Sequence, residues 1–494
     1  MKKHLLIIMI LLPFFAKAQE DTDLFDFSSV IIQGTAKSAA MGNAMGAVGS
    51  DFSSMAINPA GLGMFRKASF IYTLGINASG TNSTYMGKSS SDRAFRMPTH
   101  NIGLTWTQDI NDGTLKTVSF ALGINTLNNY TQNSFVNGDN PNTSLIDAYL
   151  AEIEDNNITN DYELEDFSPN NMFPLWETYL LDFYDDGSCG SPVPQGGLNQ
   201  QYGLSKRGMS REFSFASGLN FNERFFLGVS VNIPYFDRSA TRKYKENNLT
   251  SGQSFRSWSQ TEKIVNSGWG INAKIGAILY PAKWVRIGAS IHTPYLYKVT
   301  ESWFTETNSA FSDGAYSYTS PTGAYSYTLT TPLRFNASAA FIFGNFGMIT
   351  GDYEYVDYSK MRASSYDYDY NYLNDFIKEK YTGTSNIRIG TEWRWQTLAF
   401  RAGYAIYGSP FGFGKEALRT TSYSCGLGYT YHKFTIDAAY VFSQRKNSYD
   451  LYALYSSSPA YYIASGGDWA IDDTKVKETT NNNQVVISLK FRLD

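Results

Sequence analysis

The chain is poor in the residues on which most enzymes and metal proteins rely. It has two cysteines and four histidines in 494 residues, and their spacing matches no structural zinc site. Cys189 stands in a long polar connection, and Cys425 lies in an alternating stretch with Tyr423, Leu427 and Tyr429 on its own face, so a disulfide between them is not expected. Charge is sparse at 17% of residues, with 45 Asp+Glu against 41 Lys+Arg, which leaves no basic surface for nucleic acid. Beyond the N-terminus no apolar run approaches the roughly 20 residues that a membrane helix needs. The Gly-x-Gly patterns lack a following helix, no Gly-x-Ser-x-Gly elbow occurs, and no histidine shares a motif with a Ser or Asp partner. Nothing here supports an enzyme, a resident cofactor or a metal site.

What the chain has in plenty is aromatic residues and alternation. Aromatics make up 16% of it, with 36 Tyr and 33 Phe, as expected where aromatic girdles mark two lipid–water interfaces. Residues 1–18 carry Lys2 and Lys3, an apolar run from Leu5 to Phe15 and then Ala16-Lys17-Ala18, which reads as a secretory signal peptide cleaved before Gln19. Its loss takes three lysines and no acids, leaving a formal charge of −7. An exported chain without an apolar helix crosses a membrane with strands, if at all. A soluble β-sandwich repeat is the competing class.

Period-two alternation marks fourteen strands, the first near residues 68–79, the second 99–110, the third 116–130 and the last 483–493. Every second connection is tight, such as Asn111-Asp112-Gly113, Pro281-Ala282-Lys283 and Gly344-Asn345, while the others are long and polar. Short turns on one side and long loops on the other are the pattern of an outer-membrane barrel with both termini in the periplasm. The longest loop, 131–209, holds two predicted helices. One carries Leu145, Ile146, Tyr149, Leu150 and Ile153; the other, after Ser168-Pro169, carries Phe173, Trp176, Tyr179, Leu180 and Phe183 on one stripe. These helices either cap the barrel mouth or offer an apolar groove, with Phe173, Trp176 and Leu180 as its ligand contacts. A further short helix is predicted over residues 372–381.

The two faces of residues 385–396 differ sharply. Ile387, Ile389, Trp393 and Trp395 share one face, and Arg388, Gly390, Glu392 and Arg394 the other. Lipid takes the apolar face, because a charge there costs about 2–4 kcal/mol at mid-membrane. The same rule places Lys274, Arg286, Arg334, Asp352, Glu354, Arg401, Asp437, Lys490 and Arg492 in the lumen. Their mixed signs imply a lumen filled by salt bridges, with Arg334, Arg388 or Arg401 as the alternative contact for a ligand carboxylate.

The segment from Gly34 to Phe65 is rich in glycine and small residues and ends in Asn58-Pro59-Ala60-Gly61-Leu62. It makes a poor helix, a poor strand and a compact plug. Here the chain resembles the FadL/TodX-type outer-membrane transporters of hydrophobic compounds. The strings Gly268-Trp269-Gly270-Ile271-Asn272, Ile291-His292-Thr293-Pro294, Asp352-Tyr353-Glu354-Tyr355 and Arg401-Ala402-Gly403-Tyr404 extend the likeness to a Bacteroidetes-type branch, sometimes described as hemin receptors. Two departures stand out: an unusually long second outer loop, and a terminus at Leu493-Asp494 in place of an aromatic.

The resemblance implies an all-β fold, a fourteen-stranded antiparallel transmembrane β-barrel of residues 67–494 with an N-terminal hatch, 19–66, in its lumen. Asn58, Pro59, Ala60 and Gly61 of the hatch would then lie at the wall near the third strand. It also implies passive uptake of a hydrophobic ligand resembling a long-chain fatty acid, without a cofactor, by a monomer in the outer membrane among lipid and lipopolysaccharide. Lateral release would run through a gate in the third strand, where Gly123 permits a kink or merely makes room for the hatch. The alternatives are a docking or shuttle partner for secreted proteins, and a hemin receptor using His100, His292 or His432.

Overall fold

In the computed structural model, described for residues 21–411, 418–452 and 474–493, fourteen strands form one antiparallel ring. They are β1 (Ser69–Tyr85), β2 (Lys88–Arg96 and Thr99–Asp112), β3 (Leu115–Asn129 and Gln132–Asn140), β4 (Leu198–Phe221), β5 (Phe225–Asn248), β6 (Phe255–Ala282) and β7 (Val285–His292 and Leu296–Phe311). Then follow β8 (Gly323–Thr330 and Arg334–Phe343), β9 (Gly347–Asp357 and Arg362–Ser364), β10 (Gly383–Trp395), β11 (Leu398–Tyr407), β12 (Thr420–Tyr431), β13 (Phe434–Asp450) and β14 (Lys475–Arg492). β14 returns to β1 from Ser69↔Arg492 to Thr84↔Lys477, which closes the barrel. The expected signal peptide lies outside the described residues.

Alternation sets the two faces. On β10, Ile387 and Trp393 are 44% and 45% exposed while Arg388 and Glu392 are 3% and 1% exposed, so the apolar side is the outer one. Phe400, Tyr423, Leu427, Ile436 and Ile487 continue this exposed band around the barrel. A belt of this kind is a lipid-facing surface. Arg394 departs from the expected lumen set. Its side chain is 57% exposed at the end of β10, where it pairs with Glu392 at 2.7 Å.

Several strands run far past the length that crosses a bilayer. β5 and β6 have 24 and 28 residues, against about 9–11 for a membrane-spanning strand. This corrects the first outer connection: instead of a long loop, β1 and β2 continue upward and join through Met86-Gly87, both at positive φ (47° and 74°) as a two-residue hairpin demands. The second outer loop shrinks likewise, because β3 and β4 extend through Asn140 and Leu198.

Within that loop lie α4 (Leu145–Asp155), α5 (Asp161–Phe167) and α6 (Phe173–Trp176). The expected second stripe is broken, since α6 ends at Trp176 and Tyr179 turns outward at φ 58° with 62% exposure. Phe173, Leu175 and Leu180 instead pack into a loop core with Ile146, Ile153 and Trp258. The loop is fastened to the wall by Glu246 of β5. This fully buried carboxylate accepts hydrogen bonds from Ser144 Oγ (2.6 Å), Leu145 N (3.0 Å), Gln200 Nε2 (2.9 Å), Tyr244 Oη (2.7 Å) and Trp258 Nε1 (2.7 Å). The helix expected over 372–381 is present as α7 (Asn371–Lys380).

The N-terminal segment comprises α1 (Asp21–Ser28), α2 (Ala36–Ala40), α3 (Ser54–Ile57) and a 3-10 turn, Pro59–Met64. It is held from around the ring: Ala36 N donates to Ser488 of β14, Ser424 of β12 donates to Ala40, Gly46 N donates to Asp352 of β9, and Ser290 of β7 donates to Ile57. Residues 21–66 therefore lie within the barrel.

Two outcomes follow. Ile389→Arg, on the outer face of β10, destabilises the barrel in lipid vesicles by about 2–4 kcal/mol if it lies near mid-membrane, measured by urea unfolding. In the outer loop, burial first and then nearby Glu246 push the Asp147 carboxyl up to about 6, against the hydrogen bond from Ser144 N. A raised acid favours the docked loop fully below the ordinary carboxylate pKa and loses that contribution as pH rises through about 6. Limited proteolysis near α4 is then faster at neutral pH than in mild acid, and Asp147→Asn flattens the difference.

Candidate functional site

A cavity of about 650 Å³ opens above the N-terminal segment, within the range of small-molecule sites. Its floor is Phe25, Ile31 and Ile32, one wall is β12–β14, and the outer loop contributes Leu145 and Tyr149. The other half of the upper lumen is filled: α1 drives Leu24 and Phe27 into an aromatic cluster with Phe236, Tyr295, Tyr297, Tyr358 and Tyr381. Phe27 stacks on Phe236 at 4.3 Å. Asp23 and Asp26 of the same helix meet Arg238 of β5 and Lys206 of β4, Asp23 Oδ1 lying 2.7 Å from Arg238 Nη1. Charge pairing and ring stacking thus orient α1 as one side of the cavity.

Beside the cavity the wall changes character. β2 and β3 pair up to Asn101↔Asn125 and then part: the upper half of β2 pairs with β1, and the upper half of β3 with β4. Met97-Pro98 interrupts β2 there, and proline cannot donate to a ladder. Into this break the N-terminal segment inserts its own backbone. Ile31 N donates to Leu127 O at 3.0 Å and Gln33 N to Thr126 O at 2.9 Å. Arg96 closes the outer side, reaching Thr131 Oγ1 at 3.3 Å and Gly208 O at 2.9 Å. Asn77, Asn101 and Asn125, on the three adjoining strands, bury amides with no protein partner among the described residues.

The residues expected from sequence fall elsewhere. Gly123 sits in an unbroken ladder, opposite Gly103 on β2 and Ser214 on β4. A Cβ at Gly123 would lie 2.6 Å from Phe52 Cζ, and one at Gly103 2.1 Å from it, so this glycine pair makes room for the N-terminal segment. The parting of strands lies higher, at Asn101 and Asn125. Asn58 is against β6 and β7 instead of the third strand: its Nδ2 donates to Gly46 O (2.7 Å), Ala277 O (3.3 Å) and Ala289 O (3.4 Å). Pro59 and Ala60 press on Gly228 of β5, and Gly61 on Gly49.

The three arginines are engaged with protein carboxylates. Arg334 meets Glu354 at 3.0 Å, Arg388 meets Glu354 at 3.6 Å, and Arg401 meets both Glu392 and Asp437 at 2.6 Å. None of them lines the cavity, and neither do Phe173, Trp176 and Leu180. Of the histidines, His100 lines the cavity, whereas His292 and His432 do not. His100 is bonded to Gln484, His292 to Ile57 O at 2.9 Å, and His432 occupies a turn at φ 51°. Cys189 and Cys425 are unpaired.

What sequence reasoning missed is the cavity-facing set on β12–β14, above all Arg445. The available signal was the extension of alternation beyond the apolar band, where Ser443, Arg445, Asn447 and Tyr449 continue one face of β13.

No protein-family model and no curated protein matches the sequence. Solved structures do match in shape. A Pseudomonas aeruginosa FadL homologue is 13% identical with TM-score 0.53, over 94% of this chain and 100% of that one. The fold is that of the FadL-type channels. The Pseudomonas putida toluene transporter TodX shares it at 11% identity and TM-score 0.53, over 94% of this chain and 99% of its own. The Ralstonia pickettii toluene transporter TbuX matches at 15% identity and TM-score 0.50, over 93% and 98%.

The Phe52 contact is testable. Gly103→Ala overpacks the ring against the wall and costs about 1–3 kcal/mol, read as a lower thermal midpoint in detergent. Phe52→Leu in the same chain restores part of the loss.

Proposed function

We propose that the protein is an outer-membrane channel for passive uptake of hydrophobic small molecules, which leave sideways between β2 and β3. The observation that carries this reading is the parting of those strands beside the cavity, closed from inside by residues 31–33. An apolar ligand released into water would give up its transfer free energy, about 25 cal/mol per Å² of apolar surface, whereas release into lipid retains it. The FadL-type fold, shared with two toluene transporters, agrees with this class of cargo.

In this reading residues 19–66 are the hatch and 67–494 the barrel, working as a monomer after removal of the signal. The unpartnered amides of Asn77, Asn101 and Asn125 make the seam between hatch and β1–β3 the less tightly held side. Opposite it, Asn58, Ser290, His292 and Asp352 bond the hatch to β6, β7 and β9. Movement at the break then requires opening of the two backbone bonds from Ile31 and Gln33 and the Arg96 bridge, together with the bonds from Thr126 Oγ1 to Thr99 O (3.0 Å), Asn133 Nδ2 to Arg93 O (3.0 Å) and Asn128 Nδ2 to Ser29 O (3.3 Å) and the exposed Lys88–Asp139 pair. Passage is downhill, and no catalytic group takes part.

The test links the hatch to the wall. Gln33 and Thr126 face each other in an antiparallel bridge, a geometry within disulfide reach. With Gln33→Cys and Thr126→Cys, oxidation blocks uptake of a hydrophobic fluorescent probe into proteoliposomes and reduction restores it. Undiminished uptake in the fully oxidised protein would exclude exit at this strand.

A further inference from the structure

The cavity is unlike a simple hydrocarbon pocket. On the wall made by β12–β14, Thr420, Arg445 and Thr480 stand side by side in register, and Ser422, Ser443 and Asn482 form the row below. All six side chains line the cavity. Across from them lies the apolar floor of Phe25, Ile31 and Ile32. A bare hydrocarbon in this space would displace water from hydroxyls and an amide while returning no hydrogen bond to them.

Arg445 is the distinctive member. Of the three cations that line the cavity among the described residues, Lys206 is paired with Asp26 at 2.9 Å and Arg242 with Glu262 at 3.1 Å. Among the described residues Arg445 makes one hydrogen bond, from Nη2 to Gln132 Oε1 at 2.7 Å, and meets no carboxylate. A guanidinium has five donors in a planar fork that matches a carboxylate or phosphate. This one is half-buried on a strand, with most of its donors uncommitted among the described residues.

Building on the uptake reading above, we infer that the cavity receives an amphipathic anion bearing hydroxyls along one edge. Its acid group pairs with Arg445, its hydroxyls with the Ser422–Ser443–Asn482 row, and its apolar face rests on Phe25, Ile31 and Ile32. A hydroxylated steroid carboxylate has this distribution. A straight-chain fatty acid supplies only the charge, and toluene supplies neither charge nor hydroxyl.

The experiment uses the full chain in lipid nanodiscs, titrated calorimetrically below micelle concentrations with cholate, with 5β-cholanate (the same skeleton without hydroxyls) and with palmitate. Cholate binds about tenfold or more tightly than either competitor, Arg445→Gln weakens it by about tenfold, and Asn482→Leu weakens cholate while sparing 5β-cholanate. Both variants are checked for folding by heat-modifiable migration, and Arg445→Lys retains part of the affinity. Equal binding of 5β-cholanate or palmitate, or no binding of cholate, overturns the inference. The uptake reading fails separately. If the oxidised Gln33–Thr126 link blocks probe uptake while cholate does not bind, only the ligand class falls. If cholate binds but the link leaves uptake unchanged, only the exit route falls.

Discussion

A backbone amide in contact with lipid has no water to bond, so every strand in the wall must find a neighbour along its length. The return of β14 to β1 over sixteen paired residues meets that demand for the ring as a whole. The one described place where two wall strands part, above Asn101 and Asn125, meets it by other means: backbone from residues 31 and 33 on the inner side and the Arg96 guanidinium on the outer. The wall's weakest stretch is thus a place where pairing has been lent by a segment that is not part of the wall.

The lumen obeys a second rule of the same kind. Charges that cannot face lipid are turned inward, and once inside they must be paired, because an uncompensated buried charge is far costlier than a buried pair. Arg334, Arg388, Arg401 and Lys274 each have a carboxylate partner, and Glu246 and Glu478 are satisfied by hydroxyls, amides and an indole. Arg445, half-buried and without a carboxylate partner among the described residues, departs from that pattern, as does Arg286, whose guanidinium donates to Val48 O and lies over the Tyr280 ring.

Strand order and strand faces were legible in the sequence because side-chain direction alternates strictly along a strand. A register error on β10 would have put Arg388 and Glu392 into lipid and Trp393 into the lumen. The strand ends were less legible. Above the apolar band both faces turn polar, alternation fades, and β1–β2 reads as a loop although it is a hairpin with Met86-Gly87 at its tip. The site was less legible still. Which lumenal arginine is free depends on pairing between strands far apart in sequence, so Arg334 and Arg401 are indistinguishable from Arg445 until Glu354, Glu392 and Asp437 are placed. The glycine at 123 illustrates the same limit: its value lies in the Phe52 ring opposite, which no local pattern announces.

Ser488 carries a consequence for how the molecule is assembled. Its hydroxyl, on the last strand, accepts from Ala36 N at 2.7 Å and lies 2.7 Å from Thr73 Oγ1 on the first. One atom therefore joins the chain's beginning, its first wall strand and its final one. Seating of residues 34–40 and pairing of β14 with β1 thus draw on the same side chain. Each of the two contacts steadies the other, so the terminal strand acts as a shared anchor for the seam and for the segment inside it.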